Sequence, residues 1–505
     1  MFKKRWLVII GILCLTLATV GLNFYGDSFT RQVVSEEILS KTDSFSEILD
    51  SIKLSPDGTQ ITYIAPVGTK KCLVVDGKAS KEYDSIMDGS PYFSPDSKHV
   101  VYTAQSGNQW TVVLDGRPVG TYDGINTTPT FSPDSKHLAF GVRIGEKRFV
   151  VVDGKAEPHQ FDFLGNILLF SDDSKHLAYT AQKNKQWLAV IDGDVGKPYH
   201  EIFLLTFSPD SQHVAYSARL EKKQLVVADG VEEKLYDSIL DGTPIFSPDS
   251  KRLAYGVKSG EKRLIVVNGA EGKSHAGIGK YTLAFSPDSQ HLAYAAKAND
   301  KWFVVLDGKE GESFDGIGTQ LIFSPDSRRM AYTAMLNEKW LVVADGKAGK
   351  QYDGIGSGTP RFSSDSQKMA YVAIDTDKQF VVTESSAGKP YDGIGEQTLT
   401  FSPHGHALAY VAQNGAQQFI VKNGAEQKHY DCIGSTPIFN QDGKRVAYAA
   451  LSGNGWLVAV DDQAGEKYHG VIIDAREKNI FQTSHDLRYF AHKNGTIYRV
   501  SEKIR

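Results

Sequence analysis

Cysteine is nearly missing from this chain: Cys14, Cys72 and Cys432 are its three among 505 residues, far apart and in unlike contexts. No CxxC pair occurs, so neither a structural zinc site nor a disulfide framework is expected to hold the fold together. A charge excess of one sign is missing too. With 56 Lys and Arg against 60 Asp and Glu the formal charge is -4, and the signs are interspersed, which argues against a nucleic-acid track or a polybasic membrane patch. Long apolar runs are confined to one, from Trp6 to Leu22. No G-x-S-x-G phrase is present, so the nucleophile elbow of serine hydrolases has no candidate.

What the chain has is one phrase written many times. FSPDSKHLAF begins at Phe131, and close copies begin at Leu54, Phe93, Phe170, Phe207, Phe246, Phe285, Phe323, Phe362, Phe401 and Phe439, with a worn twelfth, TSHDLRYFAH, at Thr483. Steps between the first eleven run from 37 to 39 residues, and the last is 44. A period of that length marks a repeat architecture, in which one unit cannot bury its apolar face until neighbours stack on it. In the copy at Phe131, Ser132-Pro133-Asp134-Ser135 reads as a type I turn after a first strand. A second strand follows from His137 to Val142, and a third through Phe149 to Val152 ends in Asp153-Gly154, the strongest short hairpin signal. A short fourth strand then leads to an aromatic-Asp-Gly-Ile phrase, as at Tyr122, Phe314, Tyr352 and Tyr391. Four short strands per unit without a helical period predict an all-β chain of about twelve propeller blades.

Phrase and blade together resemble the WD-like repeat of the TolB-type β-propellers, over residues 41 to 505. The resemblance implies a binding partner of the bacterial cell envelope. Similar blades precede a hydrolase domain in prolyl-oligopeptidase-like enzymes, but here blades run to the last residue and no such domain is expected.

The blade count leaves the division of the chain open. Two six-bladed propellers, 41–270 and 271–505, are expected, because His275-Ala276-Gly277-Ile278 at the midpoint lacks the usual aromatic. A single ring of twelve is the alternative. Residues 41 to 48 are expected to supply a fourth strand to an incomplete sheet, and 23–40 a tether. Before these, Lys3, Lys4 and Arg5 precede the apolar run, which predicts a signal peptide or an N-terminal membrane anchor in 1–22 and export of the repeats to the periplasm or cell surface.

Candidate chemistry is weighed against plainer roles. Turn aspartates such as Asp134, Asp249 and Asp326 are expected to shape turns rather than hold metal. His99, His137, His176, His213 and His291 alternate with Arg252, Arg329 and Lys368, which describes a solvated strand edge. The tryptophans Trp110, Trp187, Trp302, Trp340 and Trp456 are set against Phe149, Leu225, Leu264, Phe380 and Phe419, which argues for core packing over carbohydrate stacking. Phrase aspartates Asp84, Asp123, Asp315, Asp353 and Asp392 are expected to bond loop amides, with a ring of carboxylates around a cation as the alternative. His200, His469, His159 and His429 are the residues an enzyme would use, but they fall on different copies. No cofactor, metal or catalytic residue is therefore expected.

The best partner surface is read in the loop after the second strand, the least uniform stretch of the repeat. Arg143, Arg219, Lys258 and Lys297 give its first half cations, and Met335, Ile374 and Leu451 give its second half apolar groups. The expected function is a non-catalytic binding platform for an envelope protein. A polysaccharide ligand, or a propeller hydrolase or lyase acting on an envelope polymer, is the alternative. No nucleic-acid partner is expected.

Overall fold

The computed structural model describes residues 29–41, 45–384, 386–473 and 480–505. The expected signal or anchor in 1–22 lies outside these residues. Among those described, strand follows strand, and the helical elements are one turn at Phe45–Ile48 and a 3-10 turn at Leu49–Ser51. No described helix is long and apolar enough to cross a membrane.

The repeat at Phe131 shows how each unit is built. Gly124–Ile125 and Thr130–Phe131 pair with Leu138–Ile144, which pairs with Lys147–Val152, which pairs with Lys155–Ala156, all antiparallel. Asp153 and Gly154 have φ of 51° and 77°, the two positive values that a type I′ turn requires and that Asp-Gly tolerates. Leu138 to Val142 is buried without a break. Unbroken burial, rather than alternation, means that both faces of the sheet are covered. Twelve such sheets, the blades of a β-propeller fold, follow along the chain. In order they occupy 53–79, 85–122, 124–156, 163–199, 201–232, 238–271, 277–310, 316–348, 354–383, 393–426, 432–464 and, with 31–41, 470–504; they are called blades 1 to 12 below.

The blades fall into two compact units. One holds residues 92–355, with all of blades 3 to 8; the other holds the described residues up to 91 and from 356 on, with all of blades 1 and 10 to 12. In each, the core lies between neighbouring sheets. Ala139 and Val150 of blade 3 pack on Phe161, Leu168 and Tyr179, and Tyr199 packs on Tyr216 and Leu225 of blade 5. The expected division at 270/271 falls inside the larger unit, where Ile265 and Ile278 share one cluster with Tyr294 and Phe303.

Blade 12 is completed from the far end of the sequence. Arg31–Lys41 pairs antiparallel with Thr496–Ile504, from Arg31 opposite Ile504 to Lys41 opposite Thr496. This corrects the expectation of a tether in 23–40 and a strand in 41 to 48. Phe45 and Ile48 have a spacing that fits a fourth strand, yet they form a helical turn whose apolar side packs with Ile52, Ile61 and Phe490. The closing strand is fixed by a buried pair. Arg31 donates to one oxygen of the Glu502 carboxylate at 2.6 and 2.9 Å and to the carbonyls of Val458 and Gln463, while Tyr489 Oη donates to the other oxygen at 2.5 Å. Side-chain exposures of 7% and 2% put both charges out of water, where only full pairing keeps them affordable. Burial, then the adjoining carboxylate, pushes the Tyr489 phenol far above its usual range.

Candidate interaction surface

Each blade has two ends, and at the turn end the charged groups are spoken for. Ser94 Oγ donates to Asp96 at 2.6 Å and the Lys98 N–H donates to the same carboxylate. These bonds favour the ionised form and hold Asp96 down to about 2; Asp173 is held at about 2 in the same way, by Ser171 first. The turn aspartates are thus turn formers. The second serine links blades: the Asp96 N–H donates to Ser135 Oγ at 3.0 Å, Asp134 to Ser174 at 2.9 Å, and Asp173, Asp210, Asp249 and Asp288 repeat the bond to Ser211, Ser250, Ser289 and Ser327.

The repeated histidines are half-exposed and partnered rather than merely solvated. His99, His137, His176, His213 and His291 place Nδ1 2.6 to 2.8 Å from the turn carboxylates of Asp115, Asp153, Asp192, Asp229 and Asp307. Arg329 and Arg445 make the same contact with Asp345 and Asp461. Where the carboxylate is replaced by Asn268, Arg252 instead lies 4.7 Å over Phe285. His, Arg and carboxylate therefore vary together within one chain.

At the other end lie the hairpins between second and third strands. Phrase aspartates cap them: Asp123 accepts from the Gly145 N–H, Asp315 from Asn337 and Asp392 from Gly415, at 2.6 to 2.7 Å. His200 takes that place in blade 5, accepting from the Glu221 N–H at 3.0 Å, which gives it a structural task. His429 is stacked on Phe419 at 4.1 Å. No group of three His, Cys, Asp or Glu among the described residues could hold a metal ion.

The seven candidate partner residues occupy one repeated position, but within the second strand and not in the loop after it. Arg143, Arg219, Lys258, Lys297 and Met335 belong to the larger unit; Ile374 and Leu451 belong to the other. All seven are half-buried. Three of the four cations are engaged locally: Arg143 donates to the Asp123 carbonyl at 2.6 Å, and Arg219 to Glu201 at 3.0 Å. Lys297 lies 3.1 Å from Asp300.

Across the hairpin from this position stand the tryptophans, and the alignment expected for them is off by one. Lys297 is opposite Trp302, Met335 opposite Trp340 and Leu451 opposite Trp456, while Arg143 is opposite Arg148 and Lys258 opposite Arg263. Tryptophan therefore alternates with Arg148, Gln224, Arg263, Gln379 and Gln418, not with Phe149 or Leu225. A one-residue slip along a strand moves a side chain to the opposite face, so the comparison with core residues does not hold.

Two features distinguish this end. The first is charge: 143–148, 219–224 and 258–263 each carry three cations and one acid, and 183–185 carries two cations and no acid. The equivalent stretches 105–110, 413–418 and 451–456 carry no charge at all. The second is the inner strand of blades 4 and 5, Phe163–Phe170 and Glu201–Phe207, which is continuous where blade 3 has two short pieces. Absence of Pro does not mark it, since 277–285 also lacks Pro and forms two pieces; the signal is the 37-residue step from Phe170 to Phe207, the shortest of all.

No family model matches this chain, and no curated protein matches it. Solved structures similar to it include TolB from Acinetobacter baumannii, at 19% identity and a TM-score of 0.23 over 44% of this chain and 61% of that one. The β-propeller domain of the Trilobed protease from Pyrococcus furiosus is similar at 13% identity and 0.25, over 52% and 94%. The Dos1 propeller is similar at 12% identity and 0.27, over 68% and 94%.

Proposed function

We propose that this chain is a non-catalytic, extracytoplasmic binding platform that holds a partner protein at the hairpin end of blades 3 to 6. The observation that carries the reading is that these four successive hairpins each hold two more cations than acids, a surplus shared by 66–71 of blade 1, in a chain whose formal charge is -4. Lys183, Lys185, Lys222, Lys223 and Lys262 are exposed there. Cations gathered on one surface steer an acidic partner and fix its orientation. Short hairpins on packed sheets suit this role because little ordering cost attends binding. The apolar N-terminal run supports export, and its fate as signal or anchor decides whether the platform is released or tethered. Partnering of the histidines and aspartates inside the repeat argues against the hydrolase or lyase reading, which needs titratable groups freed from structural tasks.

Capture from envelope extract by the full chain tests this proposal. The triple variant Lys185→Glu, Lys222→Glu, Lys262→Glu is expected to retain at least tenfold less of the captured protein, and wild-type capture to weaken as salt rises. Equal retention by both proteins, at low and high salt, would contradict it.

A further inference from the structure

We propose that the inner strands of blades 4 and 5 seat an extended, acidic segment of the partner, whose apolar side chains rest on Phe163, Ile167, Phe203 and Leu204. The inference rests on the platform reading above and adds what occupies it.

The sheets expose these residues for a local reason. The pairing of Phe163–Phe170 with its neighbour shifts register between Leu164 and Leu168, and that of Glu201–Phe207 between Ile202 and Leu205. Such a bulge turns residues of the bulged strand outward. Within the shifts Ile167 is left 70% exposed, Phe203 49% and Leu204 40%; Phe163, 52% exposed, precedes its bulge and stands where the repeated phrase has glycine. Blades 4 and 5 are packed together through Tyr199, Ile202 and Leu205, so the four side chains lie on neighbouring inner strands. Grouped large apolar residues on a folded surface mark a contact site. In blade 6 a further exposed aromatic ring covers the turn. A Cβ on Gly242 would lie 2.5 Å from the ring of Tyr281, which crosses from blade 7 and is itself 66% exposed. Tyr281 has φ of 60°, the left-handed backbone that this turn also takes at Gly89, Gly242, Gly358 and Gln397.

Charge chooses the occupant. Hairpin cations of blades 3 to 6 stand at one end of these strands, and Arg148 lies 4.6 Å over the Phe163 ring. Asp162 is paired with Lys147 and Glu201 with Arg219, and the hairpin acids Glu146, Glu221 and Glu261 leave each of their stretches with more cations than acids. A segment bringing its own carboxylates answers the lysines, and its apolar residues answer the strip. A flat anionic bilayer would meet the exposed lysines at the hairpin tips before it reached Ile167 in the strand body.

Panning a random dodecapeptide library on the full chain tests the proposal, with Phe163→Ser/Phe203→Ser as the comparison protein. Both sites are exposed, so the variant is expected to keep the wild-type melting curve. Enriched peptides are expected to carry two or more Asp or Glu together with apolar residues, and to bind the variant at least tenfold more weakly. No enrichment, enrichment of basic peptides, equal binding to the variant, or binding of phosphatidylglycerol vesicles that displaces the peptides would overturn it. Partner capture lost in the lysine triple variant but unchanged in the phenylalanine variant would leave the platform standing and remove this strip from it.

Discussion

At the scale of single residues the repeat spends its polar groups on holding itself together. The turn carboxylates show it in their acidity. Asp96, Asp134, Asp173, Asp210, Asp249, Asp288 and Asp365 are all held below the ordinary carboxylate range, each by its turn serine first. A depressed folded pKa stabilises above the unfolded value, about 3.9, and the benefit disappears as pH falls through the folded one. Stability measured by urea unfolding is therefore expected to fall between about pH 4 and about pH 2, the value reached by Asp96 and Asp173. Asp96→Asn/Asp173→Asn should flatten that fall; an unchanged slope would remove the turns as its cause. The serine links give a second test. Ser135→Ala loses the bond from the Asp96 N–H and is expected to cost about 1 kcal/mol. Ser135→Gly should cost less, because φ at 135 is 66° and glycine takes it freely.

At the scale of elements the closing strand is the point where the repeat needs help. Blade 12 without 31–41 would present Thr496–Ile504 as an open edge, the kind that aggregates. Glu502→Gln leaves Arg31 buried with its charge uncompensated, and is expected to cost about 3 to 5 kcal/mol in denaturant unfolding. Glu310→Gln removes the partner of Lys273, whose side chain is mostly exposed, and should change stability by less than about 1 kcal/mol. Equal effects would mean that the buried clasp is no more than a surface pair. Glycine at 77 supplies an independent check. A Cβ there would lie 1.6 Å from the Leu39 carbonyl oxygen, whereas at Gly193, in the equivalent turn, it would meet nothing within 4 Å. Gly77→Ala and Gly193→Ala share the strain of a positive φ, so only the first should loosen the closing strand.

The closing strand was hard to read because it carries no copy of the phrase. Its identity lies in one residue, Glu36, which accepts from Tyr468 Oη at 2.5 Å as Glu232 does from Tyr199 and Glu271 from Tyr236. Blade number, strand order and turn chemistry were legible, since Ser-Pro-Asp-Ser and Asp-Gly act through local backbone geometry that repeats with the sequence.

At the scale of the whole molecule, what sequence reading missed is what the repeat does not contain. Of the hairpin cations, comparison of the repeats singles out Arg143, Arg219, Lys258 and Lys297, while Lys183, Lys185, Lys222, Lys223 and Lys262 stand at positions it passes over. Exposed Ile167 and Phe203 look like core residues until the bulges that turn them outward are seen. The tryptophans went astray by one position, enough to exchange the faces of a strand. The account holds that ordered repeats supply the frame and that their departures supply the contact surface. Amide hydrogen exchange of the full chain, alone and with its captured partner, tests this most directly. Protection should gather in 143–148, 163–168, 183–187, 201–206, 219–224 and 258–263; protection confined to the turn ends, or to blades 9 to 11, would contradict it.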